Sequence, residues 1–437
     1  MKDVVDGEDQ ETLTGQRSLW RHRGFLLLWG AESISELGAQ FSILALPLLA
    51  VSVLGADEWQ LGVLNAAGTA AFFVVGLPAG AWVDRWLKRR VMIFADVVRA
   101  LAIAVIPVLW WLGALQLWHL AAVAAVVGIG TVFFDVSYQS YVPVLVTGPQ
   151  VAEANSKLEA SFQVARIGGP ALAGALLAVA AAPVLLVWDS LSYVFSGALL
   201  WRVKDGEVRA DRSTRRRLAS EIAEGVRYVA REPLIRRVVG TTATSNLFAT
   251  LTFTLLPLLV LRDLHLGAAG LGLILSVGAV GGLLGAIATP CLSRRVGEGR
   301  LISVSAVALS VMLALIPLAA TAPQYALPIL LAAEFCQSFA VMTYNITQVS
   351  LRQRLCPPQL LGRMNASIRF VVWGVMPFSS LGAGLLGDWL GMLPTMWIAA
   401  AGALLGCGFV VFSPLTGMRR LPAGPPAAQV PQRADSA

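Results

Sequence analysis

Ionisable side chains occur inside long apolar stretches of this sequence. A charge in such a stretch is costly in hydrocarbon and usually faces a partner or a wet cavity. Glu32 and Glu36 are four residues apart and share one helical face, and Glu334 lies deep in a later stretch. A carboxyl group that exchanges a proton can couple proton movement to a second process. We predict Glu36 and Glu334, with Glu32 as second choice, as proton-coupling groups; a structural hydrogen bond to a neighbouring helix is the alternative.

Ion pairing is the simpler explanation for a second set of embedded charges. Asp96 and Arg99 are three residues apart, so they can pair on one helix. Arg166 and Arg369 are predicted to neutralise either an acidic side chain or a carboxylate on a bound solute. The set comprises Asp96, Arg99, Asp135, Arg166, Asp189 and Arg369.

Several kinds of chemistry are not expected. The three histidines lie apart near the ends of apolar runs, so no histidine cluster can hold a catalytic metal. The four cysteines show no close pairing, and no Gly-Lys-Ser/Thr phosphate loop is present. We therefore predict that the protein is not an enzyme and has no cofactor. The net charge of +7 forms no basic stripe interleaved with aromatic residues, so nucleic-acid binding is not expected.

Composition requires that most of these side chains lie in a membrane. Of 437 residues, 57% are hydrophobic and 14% are charged, against roughly 25% charged in soluble domains. Since a spanning helix needs about 20 apolar residues, we predict an all-α polytopic protein with twelve transmembrane helices. The apolar runs lie near 24–53, 60–83, 91–112, 117–143, 160–181, 184–201, 235–261, 268–291, 301–320, 325–350, 364–387 and 393–413.

The runs divide into two groups of six. We predict a tail (1–23), a six-helix bundle (24–201), a linker (202–234), a second six-helix bundle (235–413) and a second tail (414–437). Alternate gaps between the runs hold nearly all the Lys and Arg residues, and the opposite gaps hold only Arg262. Because basic loops stay inside, we predict a cell-membrane protein with both termini and the linker in the cytoplasm.

The linker contains a candidate amphipathic helix. Leu218, Ile222, Val226 and Val229 recur at helical spacing, and charged residues occupy the other faces. This pattern predicts a helix at the cytoplasmic membrane interface. A solvated tether with some helicity is the alternative.

A similar turn recurs at matching places in the two halves. Gly80 is followed by Asp84, Arg85, Lys88 and Arg89 after the second run, and Gly285 is followed by Arg294 and Arg295 after the eighth. The repeat indicates a duplication that gives two pseudo-symmetric bundles. Two bundles around a central cavity suit transport by alternating access.

On these motifs the chain resembles the major facilitator superfamily. Further stretches resemble its exporters of the macrolide-efflux and enterobactin-exporter type, including Asp189-Ser-Leu-Ser-Tyr193 and Gly362-Arg363-Met-Asn365. The resemblance implies that Asp84 contacts the start of span eleven near Arg363, as a latch between the halves. A simple topology signal is the alternative interpretation of this loop.

A small-residue motif in span five also looks like one found in exporters of the superfamily. It consists of Gly168, Gly169, Pro170 and Gly174, which plain helix packing explains equally well.

The resemblance implies export of a hydrophobic or amphipathic small molecule, such as a drug, a macrolide-like compound or a siderophore, by a monomer that antiports protons. An importer or lipid flippase on the same fold is the alternative. A bulky solute needs an apolar wall with a few polar contacts. Predicted lining residues are Gln40, Asn246, Phe248, Gln337, Tyr344, Asn345 and Trp373.

Overall fold

The computed structural model describes residues 19–83, 85–146, 148–204, 207, 218–357 and 360–419, and every regular element among them is helical. The first half comprises α1 (Arg23–Leu48), α2 (Glu58–Val74), α3 (Gly76–Val83), α4 (Lys88–Trp111), α5 (Leu117–Leu145), α6 (Gly148–Leu176) and α7 (Ala182–Arg202). Helix α8 (Leu218–Arg231) lies in the linker. The second half comprises α9 (Pro233–Leu258), α10 (Gly267–Val296), α11 (Glu298–Ala319), α12 (Ala326–Leu355), α13 (Leu361–Gly374), α14 (Met376–Leu390) and α15 (Met392–Val411).

Ten helical stretches among the described residues are long and apolar enough to cross a membrane. The other two predicted runs are helical as well. One is interrupted between α2 and α3, and the other, α6, carries Glu153, Lys157 and Glu159 in its first half. The membrane-spanning, all-helical character is therefore confirmed, and the count of twelve spans stays a prediction.

The main helix contacts of the first half have counterparts in the second. Helix α1 packs on α6 and α7, α4 packs on α5 and α7, and α2 packs on α5. In the same order, α9 packs on α14 and α15, α11 packs on α12 and α15, and α10 packs on α12. A two-fold axis relating the halves remains a prediction.

The first helix of each half ends in the same irregular way. Pro47 lies near the end of α1, which continues as a π-helix over Leu49–Val53. Pro257 lies near the end of α9, which continues as a π-helix over Leu259–Asp263. Proline cannot donate to the carbonyl four residues earlier, so the hydrogen-bond pattern changes there.

We call the side of the molecule that carries α8 and the described chain ends the linker side, and the opposite side the far side. The largest buried apolar cluster draws on both halves, for example Leu49 and Leu61 with Leu259 and Leu271, which lie towards the far side. Towards the linker side each half has separate clusters, one around Tyr141 and others in the second half. Among the described residues, the large apolar cluster that the halves share therefore lies towards the far side.

Candidate functional site

A cavity of about 490 Å³ lies between the two halves. Its walls are mostly apolar and come from α1, α2, α4, α5 and α7 on one side and from α9 and α10 on the other. The Asn65 side-chain amide donates a 2.7 Å hydrogen bond across the halves to the Thr254 hydroxyl. Such a space suits the apolar body of a small molecule, with a few polar groups to orient it.

A smaller cavity of about 140 Å³ shares the Phe72 wall with the first and has a charged residue from each half. Asp135 on α5 and Arg369 on α13 both line it. The Arg369 guanidinium lies 5.2 Å from the centre of the Trp373 ring, which in turn makes an edge contact with Phe72 at 4.7 Å. This space can hold a polar or charged part of the same solute.

Small residues close the far side of the cavity. A Cβ atom on Gly62 of α2 would lie 2.8 Å from the Cα of Gly384 on α14, so these backbones are in direct contact. Gly387 approaches Glu58 equally closely, and α6 meets α10 in the same manner at Gly174 and Gly272. We call the five glycines of these contacts the far-side seam, and they allow the close helix approach that small residues permit.

An ion pair reinforces the seam at its surface. Arg262, at the end of the π-helix that follows α9, lies 2.5 Å from Glu58 at the start of α2. The pair joins the two halves, and Arg262 also lies 3.2 Å from Asp263.

Arg99 is the centre of a buried charge cluster within the first half. Its guanidinium lies 2.5 Å from an Asp96 oxygen and stacks between two aromatic rings, 4.4 Å from Phe134 and 4.3 Å from Tyr193. Asp96 also accepts a 2.7 Å hydrogen bond from Ser196. The predicted local pair therefore forms, and cation–π contact on both faces of the guanidinium adds to it.

The fully buried Asp189 has hydroxyl partners. It accepts hydrogen bonds from Ser42 of α1 and from Ser192, one turn along α7. These contacts hold α1 against α7, which gives Asp189 a structural role.

The three predicted proton-coupling carboxylates lie on two helices from opposite halves. Glu36 on α1 is partly exposed, whereas Glu32 and Glu334 are each 8% exposed. Arg166 on α6 is a charged neighbour of both Glu36 and Glu334. Helix α6 packs on α1 of its own half and on α10 of the other, so Arg166 lies where the two halves meet.

Most of the predicted cavity residues lie outside the two cavities described above. Gln40 is buried against Gly169, and the Phe248 ring packs on Gly402 of α15. Asn246 donates to a backbone carbonyl of α13, and Tyr344 bonds to α9. Of the seven predicted residues, only Trp373 lines either of the two cavities described above; Gln337 is buried on α12, where Asn345 is partly exposed.

The span-five motif lies at helix contacts, with one exception. Gly169 meets α1, and Pro170 and Gly174 meet α10 around Gly272. Gly168 faces open space, because a Cβ there would have no neighbour within 4 Å.

The predicted latch lies largely outside the described residues. Asp84 is not among them, and of Gly80 and Arg363 only the backbone is described. In the described part, the backbone amides of Lys88 and Arg89 donate to the carboxylate of Glu207, and Arg85 is exposed. These contacts hold the loop to its own half, and a contact with span eleven stays a prediction.

Asn65 and Thr254 were missed because single polar residues in apolar runs carry little signal. Asn65 is the only asparagine in the run 60–83, and the only other amide is Gln60 at the start of the run. Its partner is 189 residues away, a distance at which no periodicity connects two residues.

Comparison with known proteins places these features in a family. The profile of the transmembrane secretion effector family matches residues 15–432. The multidrug efflux pump Tap of Mycolicibacterium fortuitum is 27% identical over 89% of this chain and 95% of its own. Macrolide efflux protein A of Streptococcus pyogenes is 22% identical over 91% and 97%.

Solved structures show the same fold. A bacterial homologue of the iron transporter ferroportin in an inward-facing state superposes with a TM-score of 0.71 at 19% identity, covering 92% of this chain and all of that one. At this identity the likeness concerns the fold alone.

Proposed function

The chain belongs to the transmembrane secretion effector family, and from that premise we propose that it exports bulky amphipathic small molecules by alternating access, driven by inward proton movement. The observation that carries the proposal is the apolar cavity between the halves, closed by the far-side seam. In this arrangement the linker side is the cytoplasm, and the structure corresponds to an inward-facing state that receives the solute.

The solute class follows from the two cavities. The larger cavity offers apolar surface from both halves, and the smaller offers Asp135 and Arg369 beside aromatic rings. Binding between halves that must separate gives the solute contacts with both, so it moves with the change of access. The names of the relatives, a multidrug efflux pump and a macrolide efflux protein, support export and a drug-like solute.

The support for proton coupling is that Arg166 is a charged neighbour of Glu334 in the other half and, after Asp135 and Arg99, of Glu36 in its own half. When the halves rock, the distance from Arg166 to the two carboxylates changes unequally. The carboxylate that loses its cation holds a proton more strongly, so protonation and access state are linked.

Everted membrane vesicles provide the test. With a panel of macrolide-like compounds and siderophores, we expect accumulation of at least one compound that stops when the pH gradient is collapsed. Glu36→Gln and Glu334→Gln should abolish gradient-driven accumulation, whereas Glu298→Gln, at an exposed ion pair with Arg354, should leave it unchanged. Accumulation indifferent to the gradient and to both substitutions would refute proton coupling, and accumulation only in right-side-out vesicles would indicate import.

A further inference from the structure

Polar residues recur on one face of α12, with the apolar Val341 on that face between Gln337 and Tyr344. Glu334, Gln337, Tyr344, Gln348 and Arg352 follow each other at steps of three, seven, four and four residues, so they share one helical face. At 1.5 Å per residue, the face runs for about 27 Å. We call these five residues the polar column.

Most of the column is buried, and several of its atoms have no hydrogen-bond partner among the described residues. Gln337 is 3% exposed and Gln348 is 4% exposed. Among the described residues, no hydrogen bond reaches Gln337 Oε1, Gln348 Oε1 or Arg352 Nε. An unsatisfied buried polar group costs about 1–3 kcal/mol, and buried groups without protein partners usually bind ordered water.

The helix opposite also presents polar groups. The Thr242 hydroxyl of α9 lies 3.0 Å from the Tyr344 hydroxyl, which also donates to the Val238 carbonyl at 3.2 Å. One turn further along α9, the buried Ser245 hydroxyl has no partner among the described residues. Hydroxyl and amide groups on both helices offer an ordered water the two to four partners it needs.

The column joins Glu334 to the linker side. Glu334 lies eight residues from the far-side end of α12, next to Gly278 of α10, where a Cβ would lie 2.9 Å from Glu334 Oε1. Its charged neighbour among the described residues is Arg166 of α6, and α10 presents glycines at this contact. The far-side seam closes the opposite end of the molecule. The polar residues form a series along α12 that runs from Glu334 to Arg352 at the linker-side end of the helix.

We propose that the polar column is a water-filled path along which protons pass between Glu334 and the aqueous phase on the linker side. The O–H bond of the protonated Glu334 carboxyl breaks, the carboxylate keeps the electron pair, and the proton passes to water in the column. The proposal rests on the proton-driven export described above and adds the route by which the proton leaves.

Hydration of the column is tested by cysteine labelling. In a protein whose four native cysteines are replaced by serine, Gln337→Cys and Gln348→Cys are exposed to a small water-soluble methanethiosulfonate from the linker side. Both should react at least tenfold faster than Ala306→Cys, a control on α11 that is 0% exposed in an apolar cluster. Equal rates at all three positions would show that the column is dry and would overturn the proposal.

Proton conduction is tested in proteoliposomes. Gln348→Leu should slow pH-driven uptake at least fivefold and leave solute counterflow, which needs no net proton transfer, unchanged. Gln348→Asn should restore much of the driven rate, and Gln353→Leu, on the exposed face of α12, should match the wild type. A driven rate unaffected by Gln348→Leu overturns the path, and equal loss of counterflow shows a structural role instead. If uptake by the wild type does not depend on the pH gradient, the proposed coupling itself is refuted. Faster labelling of Gln337→Cys and Gln348→Cys then shows a hydrated space that conducts no protons.

Discussion

At the scale of single residues, Arg99 has the strongest structural role in the first half. It pairs with one buried carboxylate and fills the space between two aromatic rings. Removing one partner of a buried pair leaves an uncompensated charge, which costs more than the pair itself contributes.

We therefore expect Arg99→Leu to lower the free energy of unfolding by about 3–5 kcal/mol. The double variant Asp96→Asn with Arg99→Leu should recover part of this loss, because no lone charge is then buried. Denaturant unfolding of purified protein measures both changes. Arg369→Leu, at an exposed arginine, is the comparison and should change stability little. A single variant as stable as the wild type would contradict this role.

The Glu58–Arg262 pair has a conformational role. Arg262 is 43% exposed and Glu58 is 15% exposed, and such pairs contribute about 1 kcal/mol or less. That energy is small for folding, but it changes a two-state equilibrium by up to about fivefold.

Glu58→Gln should therefore raise the outward-facing population several-fold, seen as faster labelling of Asn65→Cys from the far side. Exchange of the two charges, Glu58→Arg with Arg262→Glu, should return the rate towards the wild-type value. Labelling that is identical in all variants would show that the pair does not affect the equilibrium.

At the scale of helices, the far-side seam determines which face is closed. Its glycines place backbone against backbone, so a larger side chain has no space while the halves touch.

Gly62→Val should hold the far side apart, increase far-side labelling of Asn65→Cys and reduce transport at least tenfold. Gly382→Val is the matched control, because a Cβ at that position of α14 has no neighbour within 4 Å. Unchanged labelling in Gly62→Val would mean that the seam adjusts and does not control access.

Helices were easier to predict from the sequence than their interruptions. Each predicted run overlaps one or two helices of the described residues, because apolar length alone distinguishes such runs, but α6 begins twelve residues before its run and ends at Leu176. The breaks at Val75 and Val375 were not predicted, since hydropathy does not change there. Both breaks lie where α2 and α13 meet through Phe72 and Trp373, so they depend on a contact between residues about 300 positions apart.

At the scale of the whole molecule, the arrangement of charge predicts how the chain lies in the membrane. Basic residues in alternate gaps direct those gaps to the cytoplasm.

A reporter active only in the cytoplasm should therefore be active when fused after Thr416 and inactive when inserted after Gly113, in a far-side turn. A reporter active only outside should give the opposite result. The same signal at both positions would contradict the predicted orientation. The cavity itself was not predictable in this way, because its walls come from helices that are distant in sequence.

The linker helix shows how the halves are tethered. The Tyr228 hydroxyl of α8 donates a 2.8 Å hydrogen bond to the Leu355 carbonyl at the end of α12, and partial burial raises its pKa to about 12. Helix α8 also packs on α13, so the linker is fixed to the second half.

The close backbone contact at the far-side seam also limits which substitutions the protein can accept under selection. Every amino-acid substitution at Gly62, Gly384 or Gly272 adds bulk where none fits, so these positions should stay constant in resistant isolates. Bacteria challenged with unfamiliar antibiotics should instead acquire changes at cavity-wall residues such as Leu64 and Phe253. Adaptation would then change the shape of the cavity and leave unchanged the contact surfaces that close it.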